Sequence, residues 1–460
     1  MTRVHQLKIG VSGIRGVVGG FLTPNLASDF AQAFATYVGP GRVVLGRDTR
    51  LSGPMLEHAV ACGLLAGGCE VVRVGILPTP TIQVYVDDTH ARGGIAITAS
   101  HNPPEYNALK LFNSSGLFFN HYERSELLDV YHQSAFRQAT NPQMCGVAED
   151  FASAPARHFA RVLRHVDAER IRRQRFHVAL DAVNGAGSRV SVDFLERVLG
   201  CRLDAISVDE SRPFPREAEP TPESLGELCS LVQGVGAQIG YAQDPDGDRL
   251  AVCTESGVVL DNDDVLALAV DAVLRRDPGP VVVNLTTSSV IDDVCSAHGC
   301  RVYRTPVGEA NVVERMQAVH AVIGGEGSNG GIIFPAVHYC RDSYLGMALL
   351  LDRMAETGRP IGALASALPR YYRKFGKVPF AHGTLGPLMQ ELESKFSGDA
   401  RVDRSDGLKL TTRDGWIHVR ASNTEPLLRL AVEARSQEKL NDLWQILGTL
   451  RANHHQHPTY

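Results

Sequence analysis

Cysteine pairing is the first thing missing. The 460-residue chain has nine cysteines, an odd number, and no Cys-x-x-Cys pair. A disulfide framework and a zinc ribbon are both disfavoured, and a reducing cytoplasm is the expected location. A basic excess is missing too. Lys and Arg number 46 against 51 Asp and Glu, a formal charge of −5, so no global field points to nucleic acid. An anionic ligand would need a local group of cations. No uninterrupted apolar run approaches the roughly 20 residues that cross a bilayer. The opening MTRVHQLKIGVSG lacks the apolar core of a secretory signal. The expectation is a soluble chain, monomer or homodimer, with a small-molecule ligand and neither nucleic acid nor membrane as partner. The terminal HHQHP reads as a frayed polar tail rather than a metal site.

What is present is repetition on a coarse scale. Residues 42–75, 176–207 and 280–308 share one order of features: a short β-branched strand (VVLG, VALD, VVVN), a polar loop, an amphipathic helix, Gly-Cys, and a second strand. Such runs suit parallel strands covered on both faces. Ser52, Ser188 and Ser288 are expected to cap the helices, and Cys69, Cys201 and Cys300 to pack at the entry of the returning strands. Beyond about residue 368 the pattern changes to a hairpin (416–434) and a helix (436–454). The expected fold is α/β: three similar α/β domains with mixed sheets plus a smaller C-terminal α+β domain around a central cleft. The expected limits are 1–148, 149–256, 257–368 and 369–460.

Five loops carry candidate chemistry. In AITASHNPPEYNALKLF (96–112), Ser100 follows a strand-like run, and Pro103-Pro104 stiffens the exit, as a held nucleophile requires. AQDPDGDRLAV (242–252) sets Asp244, Asp246 and Asp248 beside Arg249. Three carboxylates so close repel one another, and a hard divalent cation such as Mg²⁺ relieves them. An EF-hand is excluded because Arg249 stands where the turn needs Gly and LAVCT follows where a helix is required. SGIRGVVGG (12–20) holds Arg15 among glycines without the lysine of a P-loop. GGEGSNGG (324–331) frames Glu326 and Ser328, a pair suited to sugar hydroxyls. RASNTEP (420–426) offers Arg420, Ser422, Asn423 and Thr424, with Arg429 shortly after, as a phosphate pocket.

Taken in order over nearly the whole chain, SGIRG, TASHNPPEYNALKLF, DPDGDR, GEGSNGG and RASNTEP resemble the α-D-phosphohexomutase family. The resemblance implies a phosphoserine at Ser100 and Mg²⁺ on Ser100, Asp244, Asp246 and Asp248. It further implies transfer between C1 and C6 of a hexose phosphate through a hexose 1,6-bisphosphate. Lys110 matches the family position for proton transfer, with Arg15 and His101 beside it and His101 as the alternative base, and Arg249 is expected near the phosphoserine. Glu309, in TPVGEAN, stands where some glucose and mannose enzymes have histidine and the glucosamine enzymes tend to have an acid. It favours an amino sugar, and the family's phosphoglucomutase/phosphomannomutase branch is the alternative. Two readings of other classes stay open on the residues alone. A haloacid-dehalogenase-type phosphatase would use Asp244 as nucleophile. A non-catalytic sugar-phosphate binder would need only the glycine and arginine loops.

Overall fold

The computed structural model describes residues 7–10, 13–140, 146–379, 385–396, 400–422 and 427–454. Its strands form four sheets. The first has the order Leu7–Gly10, Gly13–Val17, Tyr106–Phe112, Gly93–Ile97, Gly41–Arg47, Cys69–Ile76, Val147–Glu149. The second runs Leu250–Thr254, Ile239–Gln243, His177–Asp181, Arg202–Ile206, and the third runs Val302–Thr305, Val281–Asn284, Ile323–Glu326, Gly331–Phe334, His338–Arg341. All three are mixed, with parallel centres extended by antiparallel strands. The fourth, from Tyr372–Pro379 to Arg401–Asp403, is wholly antiparallel and is covered by helix Gln437–His454. The expected α/β class and four-unit plan are what the chain adopts. The strand Val147–Glu149 pairs with Cys69–Ile76, so the first sheet runs past residue 148.

The β-branched runs form the centres of these sheets. Val43, Val44 and Leu45, Val178, Ala179 and Leu180, and Val281, Val282 and Val283 are all buried, as strands with helices on both faces must be. One apolar cluster joins the first three units, from Val44 through Leu180 to Val283 and Tyr344, while the C-terminal unit has its own around Ile417 and Leu443. The expected serine caps are a correction. Ser52 precedes helix Gly53–Ala66 without capping it, and its hydroxyl accepts a hydrogen bond from Asn107 Nδ2 (2.9 Å). Ser188 lies inside helix Gly187–Val192 and donates to the Gly185 carbonyl (2.7 Å). Ser288 Oγ does accept from Val290 N (3.2 Å), but the residue at the cap of helix Val290–Ala297 is Ser289, whose side chain makes no capping bond. The eight described cysteines are free thiols; Cys69 and Cys201 are buried and Cys300 is half-buried.

A feature the periodicity did not reveal unites the first three units. In each, a central parallel strand ends in a loop that hairpins back into an antiparallel strand: Gly93–Ile97 into Tyr106–Phe112, Ile239–Gln243 into Leu250–Thr254, Ile323–Glu326 into Gly331–Phe334. Those three turns are the serine, aspartate and glutamate loops. Open α/β sheets bind ligands at the carboxyl ends of their strands, and here three sheets present that end with the same turn.

The C-terminal unit is tied to the third by polar contacts. Buried Glu433 accepts hydrogen bonds from Trp416 Nε1 (2.7 Å) and Ser289 N (2.8 Å). Lys409 Nζ donates to the Leu285 carbonyl (2.5 Å) and lies 4.1 Å from the Trp416 ring centre. Arg373 pairs with Asp261 and Asp263. Burial, reinforced by Asp261 and Glu433, pushes the neighbouring Asp264 carboxyl up to about 7. The folded protein therefore holds this proton more tightly than the unfolded chain, whose carboxyl titrates near 3.8. Raising the pH from that value through 7 weakens the fold. Asp264→Asn should therefore raise the Tm at pH 8 and leave it unchanged at pH 4, as thermal melts at the two pH values would register.

Candidate active site

Ser100 stands in the left-handed region, with φ of 49°, which a non-glycine residue occupies only when its surroundings hold it there. Arg50 is the chief restraint, and each of its five side-chain N–H groups is used. Nη2 donates to the carbonyls of Ser100 and Asn102 (2.6 Å each), Nη1 to those of Pro103 (2.7 Å) and Tyr106 (3.0 Å), and Nε to Asp48 (3.2 Å). Asp48 also accepts from Thr98 Oγ1 (2.6 Å), which in turn accepts from Ser100 N (3.0 Å). Arg15 donates to Asn102 Oδ1 (2.5 Å) from the strand beyond. The loop is thus a rigid support for one hydroxyl.

That hydroxyl donates to Asp244 Oδ2 (2.7 Å), across the boundary between the first and second sheets. Asp244, Asp246 and Asp248 converge, with one oxygen of each lying within 4.8 Å of the others. Asp246 and Asp248 each have one oxygen held by protein donors, and Asp244 has both. Asp244 Oδ1 accepts from Arg249 N (3.1 Å), Asp246 Oδ2 from Thr79 Oγ1 and Lys110 Nζ (2.5 Å each), and Asp248 Oδ2 from Arg341 Nη2 (2.7 Å). Asp246 Oδ1 and Asp248 Oδ1 are buried with no hydrogen-bond partner. Burial and the repulsion of Asp248 and Asp246 push Asp244 well above the carboxylate range. Orphaned, buried, convergent carboxylate oxygens are the donor set of a hard divalent cation, so the residues present fit a metal such as Mg²⁺.

One nitrogen group flanks the serine and another the aspartates. His101 Nδ1 lies 3.4 Å from Ser100 Oγ. Burial, followed by the charges of Arg249, Arg15 and Arg341, lowers its pKa to about 2, so the imidazole is neutral. Lys110, on strand Tyr106–Phe112, also lies 3.4 Å from Asp248. Burial pulls its ammonium toward losing the proton, but Asp246 and Asp248 pull harder the other way, and its pKa ends above the ordinary lysine value.

The third sheet supplies the opposite wall. Glu326 Oε1 accepts from Asn284 Nδ2 (3.0 Å) and Gly308 N (2.8 Å). Gly327 has no room for a side chain, since a Cβ there would stand 1.7 Å from Asp263 Oδ1. Ser328 Oγ lies 3.4 Å from Thr286 Oγ1, outside the charged cluster. Glu309, the first residue of helix Glu309–Val319, is buried, and burial lifts it to about 7 against the pull of Arg341. The metal and sugar-side loops touch through backbone: Leu250 N donates to the Gly330 carbonyl (3.0 Å).

In the C-terminal hairpin, Arg420 and Arg429 are directly opposed on adjacent strands. Like charges so placed repel and favour an anion between them. Arg420 is 3.8 Å from Asp406, whose Oδ2 accepts from Val307 N (3.0 Å) beside Glu309. Ser422 N donates to the Leu427 carbonyl (2.8 Å). Asn423 and Thr424 lie outside the described residues, as does the HHQHP tail. Arg50, Thr79, Asn284, Arg341 and Asp406 were not singled out by sequence reasoning. Only Arg50 had a local signal, the polar GRDTR turn after a buried strand.

Comparison with known proteins settles the kinship. The four domain models of phosphoglucomutase/phosphomannomutase match in sequence: α/β/α domain I at residues 6–138, domain II at 156–257, domain III at 261–372 and the C-terminal domain at 380–446. The chain belongs to this family, the α-D-phosphohexomutases. It is an isomerase of the phosphohexomutase type. It is 35% identical over 444 residues to a phosphoglucomutase/phosphomannomutase of Thermococcus kodakarensis, covering 95% of this chain and 96% of the relative. It is 37% identical over 439 residues to a probable phosphoglucosamine mutase of Methanopyrus kandleri, covering 94% and 95%. A crystal structure of a phosphoglucomutase/phosphomannomutase family protein from Burkholderia thailandensis superposes with a TM-score of 0.84 at 26% identity, covering 98% of this chain and 99% of that one. Among the described residues no helix is long and apolar enough to cross a membrane.

For a phosphohexomutase the aspartate loop needs its supports as much as its carboxylates. Thr79→Val deletes the hydroxyl that orients Asp246 and keeps the shape, and it should weaken metal binding about 10–100-fold. Mn²⁺ titration followed by electron paramagnetic resonance on the purified protein would measure it.

Proposed function

We propose that this phosphohexomutase is a phosphoglucosamine mutase working through a phosphoserine at Ser100. The observation that carries the mechanism is the 2.7 Å hydrogen bond from Ser100 Oγ to Asp244, one of three converging aspartates. Asp244, Asp246 and Asp248, with a phosphoryl oxygen on Ser100, would hold Mg²⁺. The ion would offset the charge of the transferring phosphoryl group.

The phosphoryl group leaves Ser100 Oγ for the free hydroxyl of a hexose phosphate. The serine P–O bond breaks, a sugar P–O bond forms, and the sugar hydroxyl proton ends on Ser100 Oγ by way of His101, whose neutral imidazole lies 3.4 Å from that oxygen, while Lys110 keeps its proton and its charge. The product of this half-reaction is the hexose 1,6-bisphosphate, which turns over and returns its other phosphoryl to Ser100. Arg249, whose Nε is buried without a hydrogen bond, is available to the transferring oxygens. Arg420, Ser422, Asn423, Thr424 and Arg429 receive the phosphate that is not reacting. Glu326 and Ser328 hold ring hydroxyls in both poses. The phosphatase reading with Asp244 as nucleophile is disfavoured by geometry, since both Asp244 oxygens are engaged, one by Arg249 N and one by the serine.

The amino-sugar preference rests on Glu309. Its oxygens meet Arg341 N (3.2 Å) and Arg341 Nε (2.9 Å) and each keeps a second lone pair for an ammonium at C2. The same ion pair offsets its charge, which favours the phosphoglucomutase/phosphomannomutase reading as the second. Turnover with Mg²⁺ and catalytic hexose 1,6-bisphosphate on glucosamine, glucose and mannose 1-phosphates should be fastest for glucosamine and abolished in all three by Ser100→Ala. Glu309→Gln should slow the glucosamine substrate about tenfold more than glucose, the value of one charge-assisted hydrogen bond. Equal slowing of both would end the amino-sugar reading.

A further inference from the structure

Arg341 ends strand His338–Arg341, and its side chain is 11% exposed. It reaches three carboxylates belonging to two different units. Nη2 donates to Asp248 Oδ2 in the metal loop (2.7 Å), while Nε, 2.9 Å from Glu309 Oε2 without making a hydrogen bond, and Nη1, 3.6 Å from Glu326 Oε2, face their carboxylates as ion pairs. Its backbone N–H adds a bond to Glu309 Oε1 (3.2 Å). A guanidinium spreads its charge over three nitrogens and can face several carboxylates at once, whereas a lysine ammonium is a single point charge on a flexible stem. Its contact with Asp248 leaves Oδ1 as the orphaned oxygen. Its contact at Glu326 is on Oε2, the oxygen not taken by Asn284 and Gly308.

These acids repel one another and would spread apart without a shared counter-charge. Phosphoryl transfer needs reacting atoms within about 3–3.5 Å, and a displacement of about 1 Å costs on the order of 100-fold in rate. The distance from the metal site to the sugar-holding groups must therefore be fixed across the joint between the second and third sheets. The backbone bond from Leu250 to Gly330 sets where the loops meet. It does not set where their carboxylates point.

Building on the phosphohexomutase reading of this cleft, we propose that Arg341 is a positioning residue that holds Asp248 of the metal loop and Glu309 and Glu326 of the sugar side in one arrangement, so that one side chain governs both metal binding and sugar binding. Thr79, which touches only Asp246 among the three aspartates, serves the metal alone.

The test compares Arg341→Met, Arg341→Lys and Thr79→Val with the full-length wild type. Mn²⁺ affinity is read by electron paramagnetic resonance without sugar, and glucosamine 6-phosphate affinity by calorimetry at saturating Mg²⁺. Arg341→Met should weaken Mn²⁺ about 10–100-fold and the sugar phosphate about tenfold or more. Thr79→Val should weaken Mn²⁺ alone. Arg341→Lys, which retains a buried cation should the methionine variant fail to fold, should restore one of the two affinities and not both. If Arg341→Met shifts Mn²⁺ but leaves sugar binding at saturating Mg²⁺ unchanged, or if Arg341→Lys matches wild type in both, the assignment is overturned. Neither arm depends on turnover, so a wild type that isomerised no hexose phosphate would overturn the functional reading separately.

Discussion

The site depends first on the Arg50 guanidinium. A serine with a left-handed backbone is an unstable arrangement in isolation, of order 1–3 kcal/mol above the ordinary regions. Here five hydrogen bonds from one buried side chain offset that cost and convert the loop into a fixed mount. The carbonyls it gathers belong to Ser100, Asn102, Pro103 and Tyr106, so the two prolines stiffen the loop while Arg50 determines where it sits. Asp48 then orients Arg50, and Thr98 joins Asp48 back to the serine amide. The circuit closes on itself within the first sheet and delivers the hydroxyl to an aspartate of the second.

From that point the cleft is organised by division of each carboxylate. In Asp246 and Asp248 one oxygen is held by a donor of the protein and the other has none, while in Asp244 the second oxygen takes the Ser100 hydroxyl. The donors come from Arg249 within the loop, from Thr79 and Lys110 in the first unit, and from Arg341 in the third. Three units therefore contribute to one loop of six residues. Their shared apolar core is consistent with this, since such bonds are short only if the sheets do not shift against one another.

Legibility in the sequence followed the range of each interaction. The serine, the aspartate triad, the glutamate loop and the arginine hairpin were readable because their chemistry needs particular residue types within a few positions. The parallel centres were readable because strands covered on both faces must be continuously apolar. Arg341 and Thr79 were not, since each is an ordinary residue whose partners lie 93 and 167 positions away. The serine caps failed for a related reason. A hydroxyl near a helix start has competitors, and at Ser52 the side chain of Asn107, brought up by a neighbouring strand, took the bond expected to come from the helix. The equivalence of the three hairpin loops was hidden because the repeat was sought in the crossover helices, whereas it lies in the turn that follows.

The seam between the metal and sugar-side loops has a bearing on how relatives of this chain can differ. Leu250 N bonds to the carbonyl of Gly330, a residue with φ of 68° whose added Cβ would stand 2.9 Å from the Leu250 carbonyl oxygen. Two turns locked backbone to backbone leave no slack for an inserted or deleted residue in either, since one added residue would reverse every side chain beyond it. The lengths of exposed surface turns are free to change. The lengths of these two loops are not, and an insertion tolerated at the surface turn of residues 275–279 would here separate two halves of one site.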